Sequence, residues 1–207
     1  LTETGEEQAQ LLGTWWRARG VRFDEVRCGL LQRQRQTAQL CLPDQPRIVD
    51  SRWNEYDATG VLQHLRPLLA EQDAGFAVLS AKFDQMRGTG EVNKHFQAMF
   101  EPLMNWWSSG AVTHPQVEPF ADFERRVRDV LFETLSSGSR DVLVVCSGGV
   151  IGACVQTVLD APPAAALRLN WRIRNCSLTE FVFTKGKVSL DLYNSVAHLP
   201  ADLVTYR

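Results

Sequence analysis

Three observations predict an α/β protein, a sandwich of helices around a largely parallel central sheet. Helical and strand-like segments alternate along most of the 207 residues, the pattern left by parallel strands joined through crossover helices. The stretch Asp141-Val-Leu-Val-Val-Cys-Ser-Gly-Gly-Val-Ile151 holds an unbroken apolar run, Val142 to Val145, which reads as a strand buried on both faces. Ser147-Gly148-Gly149 then interrupts that run ahead of a helix-length apolar segment, Val150 to Leu159. A strand that ends in small residues and opens a helix leaves backbone N–H groups and a positive helix end facing a crevice, so this turn is a candidate anion site.

Along the chain, Thr2 is placed to cap a first helix in which Leu11, Leu12, Trp15 and Trp16 recur at helical spacing, and Gly20 is placed to end it. Val21 to Arg27 is expected as a short strand. Leu30 to Leu40 starts just after Gly29, contains good or tolerable helix formers, and carries Arg33 in its first turn, within reach of an anion at a neighbouring strand end. Residues 49–60 are too polar for a core strand and too aromatic for a passive linker, a mixture typical of functional loops. From Val61 to Trp107 the spacing turns helical, with Gly88, Gly90 and Gly110 as breaks, so residues 61–110 are expected as a helical insertion or lid within one domain spanning 1–207. Phe96, Met99, Phe100, Trp106 and Trp107 fit either an apolar substrate entrance or simple core packing. Phe120 to Leu135 is amphipathic, with Phe123, Val127, Val130, Leu131 and Leu135 inward and its Arg and Glu residues outward. Cys176 to Thr184 and Val188 to Tyr193, joined by Lys185-Gly186-Lys187, form a hairpin pattern.

Composition narrows the partners. A net charge of −2, from 22 basic and 24 acidic residues, argues against a general nucleic-acid surface, so any anion needs a local pocket. The five cysteines lack paired metal-ligand spacing and read as buried thiols in a reducing compartment. No apolar run reaches the length of a membrane helix and nothing resembles a signal peptide, so a cytoplasmic protein without membrane contact is expected. His64, His95 and His114 show no metal spacing. The first residue is Leu1 and not Met, so the chain is expected to begin inside a longer gene product.

Several segments in the right order resemble the histidine phosphatase superfamily, which includes the cofactor-dependent phosphoglycerate mutases. Leu1-Thr-Glu-Thr-Gly5 with Gln8-Ala9 is similar to its Leu-Thr-x-x-Gly-x-x-Gln-Ala helix start. Leu31-Gln-Arg-Gln-Arg-Gln-Thr-Ala38 is similar to its Leu-x-Arg-Ala-x-Gln-Thr-Ala segment, with Gln34 in place of the usual Ala. Trp53-Asn-Glu55 resembles its acid-bearing loop, Val144 to Ile151 its strand and Gly-Gly turn, and Asn194 to Leu199 its closing Asn-x-x-x-His-Leu.

The resemblance implies a phosphoglycerate mutase-like three-layer α/β/α fold and phosphomonoester hydrolysis through a phosphohistidine, without metal or cofactor. The partner it implies is a phosphorylated small molecule or inorganic phosphate. Arg33 becomes the pocket arginine, Ser147 and Gly148 the phosphate-contacting turn, and Glu55 the candidate proton donor to the leaving oxygen. The nucleophilic histidine, in an Arg-His-Gly motif, is expected on a strand ahead of Leu1. The family's second histidine aligns with Ser147, a hydroxyl that cannot carry an imidazolium's charge. A weakened enzyme, or a phosphate-binding regulatory protein of the same fold, therefore stands beside the hydrolase reading. His198 is expected to anchor the closing segment by hydrogen bonds. A minor alternative is a serine hydrolase, since Val145-Cys-Ser-Gly-Gly149 half meets the nucleophile-elbow pattern and Ser147, Asp191 and His198 occur in hydrolase order. Ser147-x-Gly149-x-x-Gly152 is one glycine short of a dinucleotide fingerprint.

Overall fold

The computed structural model of the chain describes residues 1–206. They divide into a unit made of Leu1–Glu55 with the chain from Arg126 onward, and a helical unit, Tyr56–Arg125.

In the first unit, Thr2 opens α1 (Glu3–Ala18) by accepting the Gly5 N–H on its hydroxyl at 3.2 Å. Gly20, at φ 66°, turns the chain out of the helix in the left-handed region where glycine costs least. The strand expected over 21–27 forms later and shorter, as β1 (Glu25–Cys28). At Asp24 the backbone N–H donates to the Asp141 carbonyl at 2.8 Å while the carboxylate accepts the Arg140 and Asp141 N–H groups, and the ladder with β3 starts at the next residue. α2 (Gln32–Cys41) then packs on α1 through Gly13, where a methyl group would overlap the Cys41 carbonyl. The close backbone approach explains a glycine in the middle of a helix.

β2 (Ile48–Val49) pairs in parallel with one edge of β1. A short 3-10 turn, Ser51–Trp53, leads to Glu55 and buries the Trp53 ring.

The helical unit runs through α3 (Ala58–Gly60), a π-helical stretch at Val61–Leu65, α4 (Arg66–Gln72), α5 (Ala74–Met86) and α6 (Val92–Ser108). Its core is aromatic. Trp107 packs against Tyr56, Phe120 and Phe123 with ring centroids 4.9–6.3 Å apart, and its indole N–H donates to the Glu118 carbonyl at 2.9 Å. Met99, Phe100 and Trp107 are buried in the same unit, so they are packing residues and not the lining of an open entrance.

α7 (Phe120–Leu135) has the predicted span, with Val127, Val130 and Leu131 buried. β3 (Val142–Val145) follows and pairs in parallel with β1, from Glu25↔Val142 to Cys28↔Val145. The sheet order is thus β2-β1-β3. α8 (Gly148–Val158) begins two residues earlier than the apolar pattern indicated, and α9 (Ala164–Asn170) packs on it. β4 (Leu178–Thr184) and β5 (Lys187–Ser195) form the expected antiparallel hairpin around Gly186, at φ 75°. No helix among the described residues is long and apolar enough to cross a membrane.

One expectation is overturned. Every residue of β3 is half-exposed, although its composition is that of a strand buried on both faces. The reason is a cavity of about 1020 Å³ beside it, lined on one side by Val142–Val145 and on the other by 178–183 of β4. Among the described residues β3 pairs only with β1 and β4 only with β5, so two unpaired strand edges border this cavity.

Candidate phosphate site at the end of strand β3

The strand, the turn and α8 converge at Ser147. This residue is extended, φ −116° and ψ 170°, and directly precedes α8, yet its side chain makes no capping bond to the helix. Glu55 takes that role from the neighbouring loop: its Oε2 accepts the Gly149 N–H at 3.0 Å, and the residue is only 8 % exposed. The carboxylate therefore satisfies one of the orphan donors at the start of α8.

Gln34 ties the same turn to α2. It is 2 % exposed, and its Nε2 donates to Ser147 Oγ and to the Trp53 carbonyl, both at 3.0 Å. Its Oε1 accepts the Leu31 N–H at 3.3 Å, closing the first turn of α2. A methyl on Gly29 would overlap the Gln34 side-chain oxygen, so the glycine before α2 makes room for this amide. The Asn54 carboxamide accepts the Leu30 N–H at 2.7 Å and joins the two loops a second time.

Behind the loop, Arg126 of α7 donates one guanidinium nitrogen to both the Arg52 and Asn54 carbonyls at 2.8 Å. The expectation that α7 turns its arginines outward thus fails at Arg126, because the unpaired carbonyls of the 3-10 turn need a donor. Arg52 in turn pairs with Asp50 and, at 2.7 Å, with Glu133. Its guanidinium holds the Asp50 carboxyl below the ordinary carboxylate value.

Arg33, the second residue of α2, is exposed on the rim, and it lines the cavity together with Gln34, Ser147 and Gly148. Arg33, Ser147 and Gly148 are therefore brought to one cavity. Glu55 is not among the residues that line it; it stands behind the turn, on Gly149. Next to Ser147, burial pushes the Cys146 thiol well up, and it raises Cys154 to about 12. Both are protonated at neutral pH and unsuited to act as nucleophiles. No histidine among the described residues lines the cavity.

The serine-hydrolase arrangement does not form. Ser147 is bonded to Gln34, Asp191 is exposed on β5, and buried His198 makes no hydrogen bond to either of them. His198 instead leans on Trp15, ring centroids 6.0 Å apart, and stands beside the Cys176 thiol, whose pKa is lowered by the Cys41 thiol first and by His198 with it. Gln34 and Arg126 are the site residues that sequence reasoning missed. Gln34 had one signal, its departure from the alanine of the similar pattern.

A sequence profile of the histidine phosphatase superfamily (branch 1) matches residues 1–98 and 81–196. The chain belongs to the histidine phosphatase superfamily. Within curated proteins it is similar to a probable phosphoglycerate mutase, GpmB, of Erwinia tasmaniensis, with 29% identity over 181 residues, 86% of this chain and 71% of that one. Among solved structures it superposes on an alpha-ribazole phosphatase from Shigella flexneri with a TM-score of 0.63 at 21% identity, covering 94% of this chain and 84% of that one. Phosphoserine phosphatase from Entamoeba histolytica, solved in complex with 3-phosphoglyceric acid, gives a TM-score of 0.64 at 18% identity, covering 97% and 86%. At these identities the two structures establish the fold: the mostly parallel α/β sandwich with many helices that the sequence predicted. In this histidine phosphatase chain a serine and a glutamine meet where strand β3 turns into α8.

Proposed function

We propose that this chain carries the phosphate-binding half of a phosphomonoester hydrolase that works through a phosphohistidine. The observation that supports it is the convergence of Arg33, Ser147 and the start of α8 at Gly148 on one cavity bordered by two unpaired strand edges. In this reading an extended segment ahead of Leu1, bearing Arg-His-Gly, lies in that cavity with its histidine at the phosphate end. The imidazole attacks phosphorus and the ester oxygen departs with a proton. Water then hydrolyses the phosphohistidine to inorganic phosphate, regenerating the imidazole. Arg33, the Ser147 hydroxyl and the Gly148 N–H hold the phosphoryl oxygens, fixed donors placed where charge develops. Glu55 supplies the proton to the leaving oxygen, which requires its carboxyl to turn from Gly149 toward the cavity. The substrate class is a phosphorylated small molecule, and the five free thiols fit a cytoplasmic setting.

A second reading has its own support. Ser147 is neutral where the family's second histidine aligns, so the same site serves equally as a phosphate-binding regulatory module without turnover. The two part on one experiment, run on protein that includes the residues encoded ahead of Leu1. Hydrolysis of a generic aryl phosphate between acidic and neutral pH, with a phosphoryl-enzyme that is acid-labile and base-stable, is the expected result. No turnover, together with a phosphate-dependent rise in melting temperature, establishes the binding module instead.

A further inference from the structure

The two positions that depart from the family pattern, Gln34 for Ala and Ser147 for His, touch each other across 113 residues of sequence, 3.0 Å apart. The direction of that bond is fixed by the other partners of Gln34. The Trp53 carbonyl can only accept and the Leu31 N–H can only donate. The carboxamide must therefore present Nε2 to Trp53 and Oε1 to Leu31, and its second amide hydrogen goes to Ser147 Oγ. Flipping the amide would set oxygen against oxygen at Trp53 and N–H against N–H at Leu31.

Ser147 is thereby committed as an acceptor toward Gln34. Its single hydroxyl hydrogen is left to be donated elsewhere; capping α8 would call only on an oxygen lone pair, and the Gly149 N–H is in any case accepted by Glu55. Ser147 lines the cavity on which Arg33 and Gly148 also open. We infer that Gln34 is a positioning residue that orients the Ser147 hydroxyl as a donor to a phosphoryl oxygen, the pair forming a neutral substitute for a cationic side chain. This deepens the reading of the site as phosphate-binding and rests on it. A serine free to rotate spends part of its time donating to backbone carbonyls; one held by Gln34 presents its hydrogen to the anion before the anion arrives. Gln34 lines the same cavity, but both of its amide hydrogens are already given to the Trp53 carbonyl and Ser147 Oγ, so it acts through Ser147.

A double-mutant cycle reads this directly. Sulfate, a non-hydrolysable stand-in for the phosphoryl group, is titrated by calorimetry into the wild type, Ser147→Ala, Gln34→Met and the double variant. Methionine keeps the length of Gln34 and removes its donors. Each single substitution is expected to weaken binding about five- to tenfold, and the double variant to bind no more weakly than Ser147→Ala alone. Ser147→Thr, which keeps the hydroxyl, is expected to stay within about twofold of the wild type in the Gln34 background and to lose its advantage over Ala in the Gln34→Met background. Losses that add, so that Gln34→Met costs as much without the hydroxyl as with it, assign Gln34 a purely structural role and overturn the inference. An unchanged affinity in Ser147→Ala overturns it equally. Failure of the hydrolase reading is separate: coupling with no aryl phosphatase turnover sinks the reaction and leaves the pair, and turnover without coupling does the reverse.

Discussion

Arg33→Ala is expected to cut the rise in melting temperature that inorganic phosphate confers by about half or more. Arg33 sits in the first turn of α2, exposed on the rim of the cavity that Ser147 and Gly148 also line. Among the described residues no ion pair or hydrogen bond of its side chain is present, so its donors are available to an anion without breaking an internal contact. Charge-assisted hydrogen bonds from a guanidinium to a phosphate are worth about 1.5–3 kcal/mol each. Losing them corresponds to about a 10- to 100-fold weaker phosphate affinity. Stabilisation by a ligand grows only as the logarithm of its concentration over its dissociation constant, so the shift seen at about 100 times that constant falls to about half after a tenfold loss of affinity and almost vanishes after a hundredfold loss. Because the side chain is exposed, the variant should melt within about 1 kcal/mol of the wild type without phosphate. An undiminished phosphate effect in Arg33→Ala removes Arg33 from the site.

The second large effect concerns an imidazole introduced at position 147. Were charge alone limiting, Ser147→His would raise phosphatase turnover. The surroundings of Ser147 set a condition on that outcome: Gln34 Nε2 lies 3.0 Å from Ser147 Oγ, in an amide that is itself bonded to Trp53 and Leu31 and packed against Gly29. An imidazole at position 147 collides with that amide, and overpacking of a filled site typically costs about 1–3 kcal/mol. Ser147→His alone is therefore expected to lower stability and to gain little activity. Ser147→His combined with Gln34→Ala is expected to recover stability and to raise kcat/KM about tenfold or more, as a cationic donor replaces a neutral one. Equal behaviour of the single and double variants, measured by thermal melts and aryl phosphate kinetics, contradicts the coupling of these two positions.

Much of the fold was legible because its elements carry local signals. The apolar run Val142–Val145, the heptad-like face of Phe120–Leu135, the Thr2 cap and the Lys185-Gly186 turn each depend on neighbours within a few residues. The Ser147–Gly148 turn was legible for the same reason. What local patterns cannot carry is contact between distant segments. Gln34 and Ser147 meet only through folding, as do Glu55 with Gly149 and Arg126 with the carbonyls of Arg52 and Asn54. The half-exposure of β3 was equally invisible, since an apolar strand reads as buried whether or not a neighbour lies on its other edge.

The most direct test of the proposed phosphate site follows the backbone amides of Gly148 and Gly149 by NMR while inorganic phosphate is added to ¹⁵N-labelled protein. Gly149 N–H is already bonded to Glu55, and Gly148 borders the cavity with Arg33 and Ser147. Binding at this turn predicts a saturable shift of the Gly148 amide, larger than that of Gly149 and lost in Arg33→Ala. Saturable shifts that gather elsewhere and leave Gly148 unmoved would contradict the assignment of the phosphate to the end of β3.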